Sequence, residues 1–230
     1  MAKAVVLFSG GLDSTTVLAM AHRDGEDLYA LTFDYGQRHR REIASARKLA
    51  ALYGVVEHKI LRIDLDQIGG SSLTADVPLP ESRDLDTISA DIPSTYVPFR
   101  NSILLSLATA YAEVVGADLI LAGMNSLDYS GYPDCRPEYL DAFNRLIRLG
   151  TKACVQDGRQ IEVRAPLLYW DKARIVQEGM RLGVPYELTW SCYRGDDLSC
   201  GVCDSCQLRL KGFREAGFAD PLRYAERCSA

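Results

Sequence analysis

A glycine-rich segment near the start of the chain combines residue types that could bind phosphate. It runs Ser9-Gly10-Gly11-Leu12-Asp13-Ser14 and follows the apolar run from Ala4 to Phe8. Glycine lets a backbone approach an anion closely, and the free N–H groups at the start of a helix attract phosphate. The segment has neither the Gly-Lys-Ser/Thr of a Walker A loop nor the glycine spacing of a dinucleotide fingerprint. We predict a phosphate-binding turn of another type, in which Asp13 holds a magnesium ion or caps the helix.

Four cysteines close to the end of the chain form the pattern C-x7-C-x2-C-x2-C. They are Cys192, Cys200, Cys203 and Cys206. Thiolates at this spacing can present sulfur atoms to one tetrahedral ion, and four of them complete a structural zinc site. An iron–sulfur cluster is a second interpretation, although its usual fourth cysteine precedes a proline and here Gln207 follows. A redox pair is the third. The remaining cysteines are predicted to be free thiols: Cys135, Cys154 and Cys228.

Composition and charge limit the class of protein. The chain has 230 residues, of which 47% are hydrophobic and 25% are charged, and its formal net charge is −5. These values exclude disorder as the main state. The mildly acidic balance argues against a broad surface that coats nucleic acid. A local basic face around Arg38, Arg40 and Arg41 remains an interpretation, with a solvated helix start as the alternative.

The sequence shows neither the pattern of a signal peptide nor that of a membrane span. The first apolar run, 4–8, is short, and the longest hydrophobic stretch, 103–122, contains Glu113, Gly116 and Asp118. An odd number of cysteines without a secretion signal indicates a reducing compartment. We expect a cytoplasmic protein with no membrane and no stable nucleic-acid partner.

Apolar strand-like runs alternate with helical periodicity along the chain. Strands are predicted at 4–8, 28–33, 55–63, 119–122 and 161–165, and helices at 14–22, 43–53, 102–115, 137–149 and 171–183. This alternation predicts an α/β fold, a doubly wound and mostly parallel sheet with helices on both faces. Ligands of such sheets bind at the carboxyl ends of the strands, where the glycine-rich segment follows the first strand.

Two units are expected along the chain. Residues 1–185 would form the domain that binds the nucleotide, and residues 186–230 a small C-terminal zinc-bound segment packed on it. That tail is too short to bury a core of its own. Residues 64–101 carry four prolines and little periodicity. A loop of this length in a compact domain is usually functional or mobile.

The glycine-rich segment resembles the pyrophosphate loop (PP-loop) of the ATP pyrophosphatases, which have the adenine nucleotide alpha-hydrolase-like fold. These enzymes split ATP into AMP and pyrophosphate to adenylate a substrate oxygen. The resemblance implies catalytic roles for Asp13 and Ser14. It implies ATP binding by Phe8, Ser9, Gly10, Gly11, Leu12, Asp13, Ser14, Thr15, Thr16, Val17 and Leu18. The alternative is an ordinary glycine turn with capping serines.

A later segment, Pro166 to Ile175, is similar to one that many of these enzymes carry before a late helix. It places Lys172 in the first turn of that helix, where a catalytic ammonium could neutralise the charge that develops on phosphate during adenylyl transfer. An ordinary exposed lysine is the alternative.

The chain from Ser9 to about Tyr224 resembles the 7-cyano-7-deazaguanine synthase family of queuosine biosynthesis. Segments beyond the PP-loop carry the resemblance: Asp34–His39, Pro93–Asn101, Asp128–Arg136, Ser191–Tyr193 and Leu208–Phe213. One departure is Phe99, where we would expect glycine. The resemblance implies a homodimer that uses ATP with Mg²⁺ and carries one structural Zn²⁺ per chain. Its reaction adenylates 7-carboxy-7-deazaguanine, admits ammonia to form an amide, and activates that amide with a second ATP to leave the nitrile.

Substrate-binding residues are also predicted on the matching segments. They are Arg100, Asn101, Tyr132, Asp134 and Arg136. Asp134 could accept hydrogen bonds from the guanine-like edge, and Tyr129 or Tyr132 could stack on the base. Arg100 and Arg136 could bind a carboxylate or a phosphate. For each residue, stabilising its own loop is the alternative.

Two other functions remain hypotheses at this point. An adenylating enzyme that acts on transfer RNA would keep the PP-loop, but the acidic balance and the lack of an added RNA-binding segment argue against it. A zinc-knuckle nucleic-acid-binding module would lose the nucleotide site, whereas Ser9 to Ser14 and Lys172 are intact. Zinc knuckles also typically include a histidine, which this cysteine pattern lacks.

Overall fold

The computed structural model describes residues 2–37, 40–75, 77–83, 92–127, 132–195 and 197–225. Its strands are β1 (Lys3–Leu7), β2 (Asp27–Asp34), β3 (Glu57–Arg62), β4 (Leu119–Leu121) and β5 (Glu162–Arg164). Its helices are α1 (Leu12–Arg23), α2 (Arg41–Leu52), α3 (Arg100–Val115), α4 (Pro137–Gly150), α5 (Lys152–Val155), α6 (Lys172–Arg181) and α7 (Asp204–Glu215). The predicted alternation of strands and helices is therefore confirmed, with ends that differ by a few residues.

The five described strands form one parallel sheet in the order β3-β2-β1-β4-β5. Residues of β1 alternate between its two faces, as period-two geometry requires. Ala4 and Val6 join an apolar cluster with α1, α2 and α6, and Val5 joins a second cluster with α3 and α4. Helices thus cover both faces of the sheet, which confirms the doubly wound α/β fold predicted from the sequence.

The strand order reverses between β1 and β4, and this is where the site lies. From β1 the chain winds outward through β2 to β3, and it then crosses to place β4 on the other side of β1. Loops that leave the carboxyl ends of two such strands diverge and open a crevice. Ser9–Ser14 follows β1 and Gly123 follows β4. A Cβ atom on Gly123 would lie 3.1 Å from the backbone N of Ser14, so the two loops are in close contact.

The C-terminal residues contribute to the same core as the sheet. Tyr186 and Phe213 are almost fully buried, and they belong to the apolar cluster of α1 and α6. Their rings meet edge to face with centroids 5.3 Å apart. A buried ion pair holds the end of this segment, because Arg209 Nε donates to Asp220 at 2.7 Å. The division at residue 185 stays a prediction.

Part of the long loop between β3 and α3 is attached to the cysteine-rich segment. The backbone N–H of Ser82 donates to Val202 O at 2.9 Å, and Arg83 forms an ion pair with the buried Asp204. Leu65, together with two other apolar residues of the loop, forms a small cluster of its own. The described parts of this loop are therefore tied to the fold by specific contacts.

Candidate functional site

The PP-loop is held in shape by its own serines. Ser14 Oγ lies 3.0 Å from Ser9 Oγ and accepts from the Ser9 N–H at 3.2 Å, and Gly11 N–H donates to Ser9 Oγ at 3.2 Å. Gly10 has φ +78°, and a Cβ there would lie 2.5 Å from the backbone N of Ala46 on α2. Only glycine fits between the loop and α2, so this position of the turn requires glycine.

Lys172 and Asp13 form an ion pair behind this loop. Lys172 Nζ lies 2.8 Å from Asp13 Oδ1 and 2.9 Å from Oδ2. Lys172 is the first residue of α6, whose cap is Asp171: its carboxylate accepts from the Arg174 N–H at 2.7 Å. The lysine stem is buried and packs tightly on Gly212, where a Cβ would lie 2.2 Å from Lys172 Cγ. The ammonium group is therefore fixed in position beside Asp13.

A cavity of about 310 Å³ opens in front of the PP-loop at the reversal of strand order. Its size falls in the range of small-molecule pockets, about 300–1,000 Å³. The PP-loop residues Phe8–Ser14 contribute one wall, except Gly10, which faces α2. The lining also includes Arg100 and Asn101 at the start of α3, and Tyr132. The fold thus places three of the predicted substrate-binding residues in the same cavity as the predicted ATP loop.

Two other predicted substrate residues lie outside the lining of this cavity. Asp134 is buried, and its Oδ2 accepts from the Asn101 N–H at 3.1 Å, which satisfies a free donor at the start of α3. Arg136 is exposed just before α4. The roles predicted for both residues stay predictions. Tyr129 and the adjoining residues 128 and 130–131 lie outside the described part of the chain.

The cavity also contains residues that the sequence alone did not single out. Glu42 on α2 lines it together with Gln37 and Tyr35. Glu42 Oε1 accepts from Gln37 Nε2 at 2.8 Å, and desolvation raises the pKa of the carboxylate to about 7. Gln37 belongs to the segment Asp34–His39 that carries the family resemblance, so the sequence offered a signal that this residue is functional. Glu42 follows that segment, but nothing in the periodicity indicates which way its side chain points.

Cys135 lines the cavity but has the character of a structural thiol. Its Sγ accepts from Asn101 Nδ2 at 3.3 Å, and burial raises its pKa to about 12. A thiol that stays protonated at neutral pH is a weak nucleophile. This agrees with the prediction of a free thiol outside the metal cluster.

The four clustered cysteines have the geometry of a metal site. Their sulfur atoms lie within 4.8 Å of one another, and all four residues are buried. Cys192 Sγ accepts from the N–H groups of Arg194 and Cys200 at 3.4 Å. Cys200 Sγ accepts from Cys203 N–H at 3.3 Å and lies 4.0 Å from Cys206 Sγ. A tetrahedron with Zn–S bonds of about 2.3 Å has S···S edges of about 3.8 Å, so these residues fit a zinc ion.

The cysteine-rich segment also supports the PP-loop. Trp190 N–H donates to Gly10 O at 3.0 Å, and its indole Nε1–H donates to Cys192 O at 3.0 Å. Ser191 and Tyr193, on either side of Cys192, line the cavity. The candidate metal site therefore adjoins the wall of the candidate ligand site.

Phe99, which departs from the expected glycine, has a left-handed backbone. Its φ is +57°, a region that glycine adopts at no steric cost, and its side chain is 64% exposed. Its N–H donates to the Tyr96 hydroxyl at 3.1 Å. Phe99 directly precedes Arg100, so its backbone conformation sets the direction in which α3 begins at the cavity wall.

A parallel doubly wound sheet with a PP-loop at the reversal of strand order defines an ATP pyrophosphatase-like protein. A family model described as "Queuosine biosynthesis protein QueC" matches residues 3–217. The chain belongs to this family of enzymes.

Its relatives match along nearly the full chain. The 7-cyano-7-deazaguanine synthase of Thermoplasma volcanium is 56% identical over 224 residues, which cover 97% of this chain and 91% of the relative. That of Nostoc sp. is 54% identical and covers 97% of both chains. A solved 4-thiouridine synthetase in complex with RNA and ATP has a TM-score of 0.51 at 18% identity, over 94% of this chain and 50% of that one. This last likeness concerns the fold alone.

Among the residues that the structure describes, no helix is both long and apolar enough to cross a bilayer.

Proposed function

We propose that this chain is a 7-cyano-7-deazaguanine synthase that converts 7-carboxy-7-deazaguanine and ammonia to the nitrile. One ATP adenylates the carboxylate, and ammonia displaces AMP to give the amide. A second ATP adenylates the amide oxygen, and loss of AMP leaves the nitrile. Two ATP are thus converted to two AMP and two pyrophosphate. Relatives of this name that match along nearly the whole chain support the proposal.

The single observation that carries the mechanism is the cavity between the PP-loop and the start of α3. Adenylation needs a phosphate site and a carboxylate site facing each other across one space. Ser9, Gly11 and Ser14 contribute hydroxyl and N–H groups to the lining of this cavity, and Arg100 contributes a guanidinium to the same lining. Because no covalent nucleophile is required, catalysis rests on positioning and on charge.

ATP would bind along the predicted residues 8–18, with its pyrophosphate portion at the PP-loop. A magnesium ion bound with ATP would supply positive charge near the leaving pyrophosphate. Asp13 is the residue that would hold it. A carboxylate has about four lone-pair sites, so its pairing with Lys172 leaves capacity for a ligand on the cavity side. Lys172 fixes Asp13 and adds positive charge behind the loop.

The base portion of the substrate would lie at the α3 end of the cavity. Tyr132, whose hydroxyl lies 3.0 Å from Thr95 Oγ1, is proposed to stack on the planar ring. Arg100 is proposed to bind the carboxylate, and Asn101 to contribute a hydrogen bond. Asp134 and Arg136 complete the proposed set, with Asp134 acting at least through the backbone of Asn101.

The four clustered cysteines are proposed to hold one structural zinc ion, since four protein ligands leave no open position for catalysis. The proposal also includes a homodimer in the cytoplasm that forms no stable complex with nucleic acid. Light scattering on the purified protein checks the dimer, and a gel shift with transfer RNA checks the last point.

Mass spectrometry tests the proposed reaction. Purified protein is incubated with Mg-ATP, ammonium and 7-carboxy-7-deazaguanine, and we expect a nitrile product with two AMP per turnover. AMP without nitrile would point to another acceptor, and transfer RNA would be tested next. If the folded, zinc-replete protein forms no AMP at all, the enzymatic proposal is wrong.

A further inference from the structure

Glu42 presents a carboxylate to the cavity in a fixed orientation. It lies in the first turn of α2, directly beside the PP-loop, because the backbone O of Glu42 is one of the atoms that excludes a side chain at position 10. Its Oε1 accepts from Gln37 Nε2 at 2.8 Å. Gln37 is itself buried and oriented at both ends: its Nε2 donates to Phe33 O at 3.2 Å, and its Oε1 accepts from Tyr35 N–H at 2.7 Å. The geometry of the carboxylate is therefore set by the end of β2.

Two charged groups and one neutral amide act on the Glu42 carboxylate. Arg100 on α3 is the nearby cation, Asp34 at the end of β2 is a nearby anion, and Gln37 supplies the hydrogen bond. Arg100 is partly engaged elsewhere, since its guanidinium lies 5.6 Å from the centre of the Tyr35 ring. Within the described part of the chain, Glu42 forms no ion pair within 4 Å. Desolvation outweighs the attraction of Arg100 and raises the pKa of Glu42 to about 7.

Other cavity groups are poorly suited to receive a proton. The second carboxylate among the described lining residues, Asp13, is paired through both oxygens with Lys172. Burial raises the pKa of the Cys135 thiol to about 12 and that of the Tyr35 phenol to about 12, so both stay protonated. A carboxylate that is half ionised at neutral pH can both take and return a proton.

We propose that Glu42 is the general base of the ammonia step. This inference rests on the proposed function. The nitrogen of ammonia attacks the carbonyl carbon of the acyl adenylate and forms the C–N bond. The C–O bond to AMP then breaks, AMP leaves with the electron pair, and a proton passes from the nitrogen to the Glu42 carboxylate. Glu42 then releases this proton to solvent. In the second stage the amide oxygen is adenylated and the nitrogen loses one of its two protons to solvent, which gives an imidate adenylate. Its C–O bond to AMP breaks, AMP leaves with the electron pair, and the last N–H proton passes to the Glu42 carboxylate as the nitrile forms.

The test separates adenylation from the ammonia step in one variant. Glu42→Gln keeps the shape and the partner Gln37 but cannot take a proton. In the absence of ammonia, exchange of labelled pyrophosphate into ATP, dependent on 7-carboxy-7-deazaguanine, reports adenylation alone. We expect exchange within threefold of the wild type and a loss of about 10²–10³-fold in nitrile formation. Glu187→Gln, an exposed carboxylate outside the cavity, serves as the matched control and is expected to change neither rate.

A pH profile at constant concentration of unprotonated ammonia gives a second readout. The wild type should lose kcat/KM below about pH 7 as Glu42 becomes protonated, and Glu42→Gln should lack this limb. Glu42→Asp, which retains a carboxylate, should keep the limb at a lower rate.

Three results would overturn the inference. Equal loss of exchange and nitrile formation in Glu42→Gln would indicate a structural or binding role. Unchanged nitrile formation would show that no base is needed at this position. If the wild-type protein does not exchange pyrophosphate with this carboxylate, the proposed function fails and the inference fails with it. Loss of nitrile formation in Glu42→Gln with pyrophosphate exchange retained supports both the proposed function and the role of Glu42.

Discussion

The Lys172 ammonium contacts both carboxylate oxygens of Asp13, at 2.8 and 2.9 Å, although 158 residues separate them in the sequence. Asp13 lines the cavity and Lys172 lies behind it. The lysine therefore holds in place a carboxylate that faces the cavity. The pair joins α6, at the start of the last quarter of the chain, to the PP-loop.

Removing this lysine should damage both folding and adenylation. In Lys172→Met the partly exposed Asp13 carboxylate loses its counter-charge. We expect the unfolding free energy to fall by about 2 kcal/mol, between the cost of about 1 for an exposed pair and about 3–5 for a fully buried one. Pyrophosphate exchange should fall by about 100-fold. Urea denaturation and the exchange assay measure the two effects. Lys211→Met removes an exposed pair with Glu215 at 4.0 Å and should cost under about 1 kcal/mol. Equal effects of the two substitutions would contradict the role given to the Lys172–Asp13 pair.

Gly10→Ala should disrupt the PP-loop by more than the energetic cost of placing alanine in a left-handed backbone conformation. Gly25 has nearly the same φ, +77° against +78°, but a Cβ at Gly25 has nothing within 4 Å. Gly25→Ala thus measures the cost of the left-handed backbone, about 1 kcal/mol. Gly10→Ala adds the collision with α2 and should cost at least twice as much, with weaker ATP binding by calorimetry. Similar losses in both variants would show that α2 moves away easily.

Phe99→Gly should stabilise the protein. The left-handed backbone at Phe99 costs about 1 kcal/mol in a non-glycine residue, and the exposed ring gives little in return. Because the hydrogen bond to Tyr96 comes from the backbone N–H, glycine retains it. We expect the Tm to rise by about 2–4 °C, the shift that 1 kcal/mol produces in a chain of this size. A lower Tm by calorimetry would mean that the Phe99 ring makes a stabilising contact.

Glu42 should make stability depend on pH in a defined direction. Its pKa in the folded protein, about 7, lies above the ordinary value of 4.5, so the folded state binds the proton more tightly than the unfolded chain. The wild type therefore loses stability as the pH rises from about 4.5 to about 7, and Glu42→Gln does not. The variant should be more stable than the wild type at pH 8 and equal at pH 4. Urea denaturation at both pH values measures this, and a difference that does not vary with pH would contradict it.

Removal of the metal should loosen the PP-loop through Trp190. Cys203→Ser takes one sulfur from the proposed zinc site, and the metal content of the purified protein should fall from about one zinc per chain. Because the Trp190 indole donates to Cys192 O and its backbone to Gly10 O, its fluorescence should shift to the red. Cys154→Ser is the matched control, since Cys154 is a free, half-buried thiol outside the cluster. Unchanged metal content and fluorescence in Cys203→Ser would refute the assignment.

The local features of this protein follow from its sequence. Apolar runs with glycine or polar ends specify the five described strands, and hydrogen bonds among Ser9, Gly11 and Ser14 shape the turn after β1 from within. The spacing of Cys192, Cys200, Cys203 and Cys206 brings four sulfur atoms together almost regardless of the remaining fold. Such features were predictable because the interacting groups lie within a few residues of one another.

Only the tertiary structure decided which distant residues meet. Helical periodicity places Glu42 on α2 and Lys172 on α6, but the packing of those helices on the sheet decides that one faces the cavity and the other lies behind Asp13. The same holds for Asp134, whose carboxylate meets the N–H of Asn101 at the start of α3. Contacts between residues far apart in the sequence depend on the topology of the sheet. The chain crosses to place β4 beside β1, and this brings the loops that follow the two strands to the same edge of the sheet.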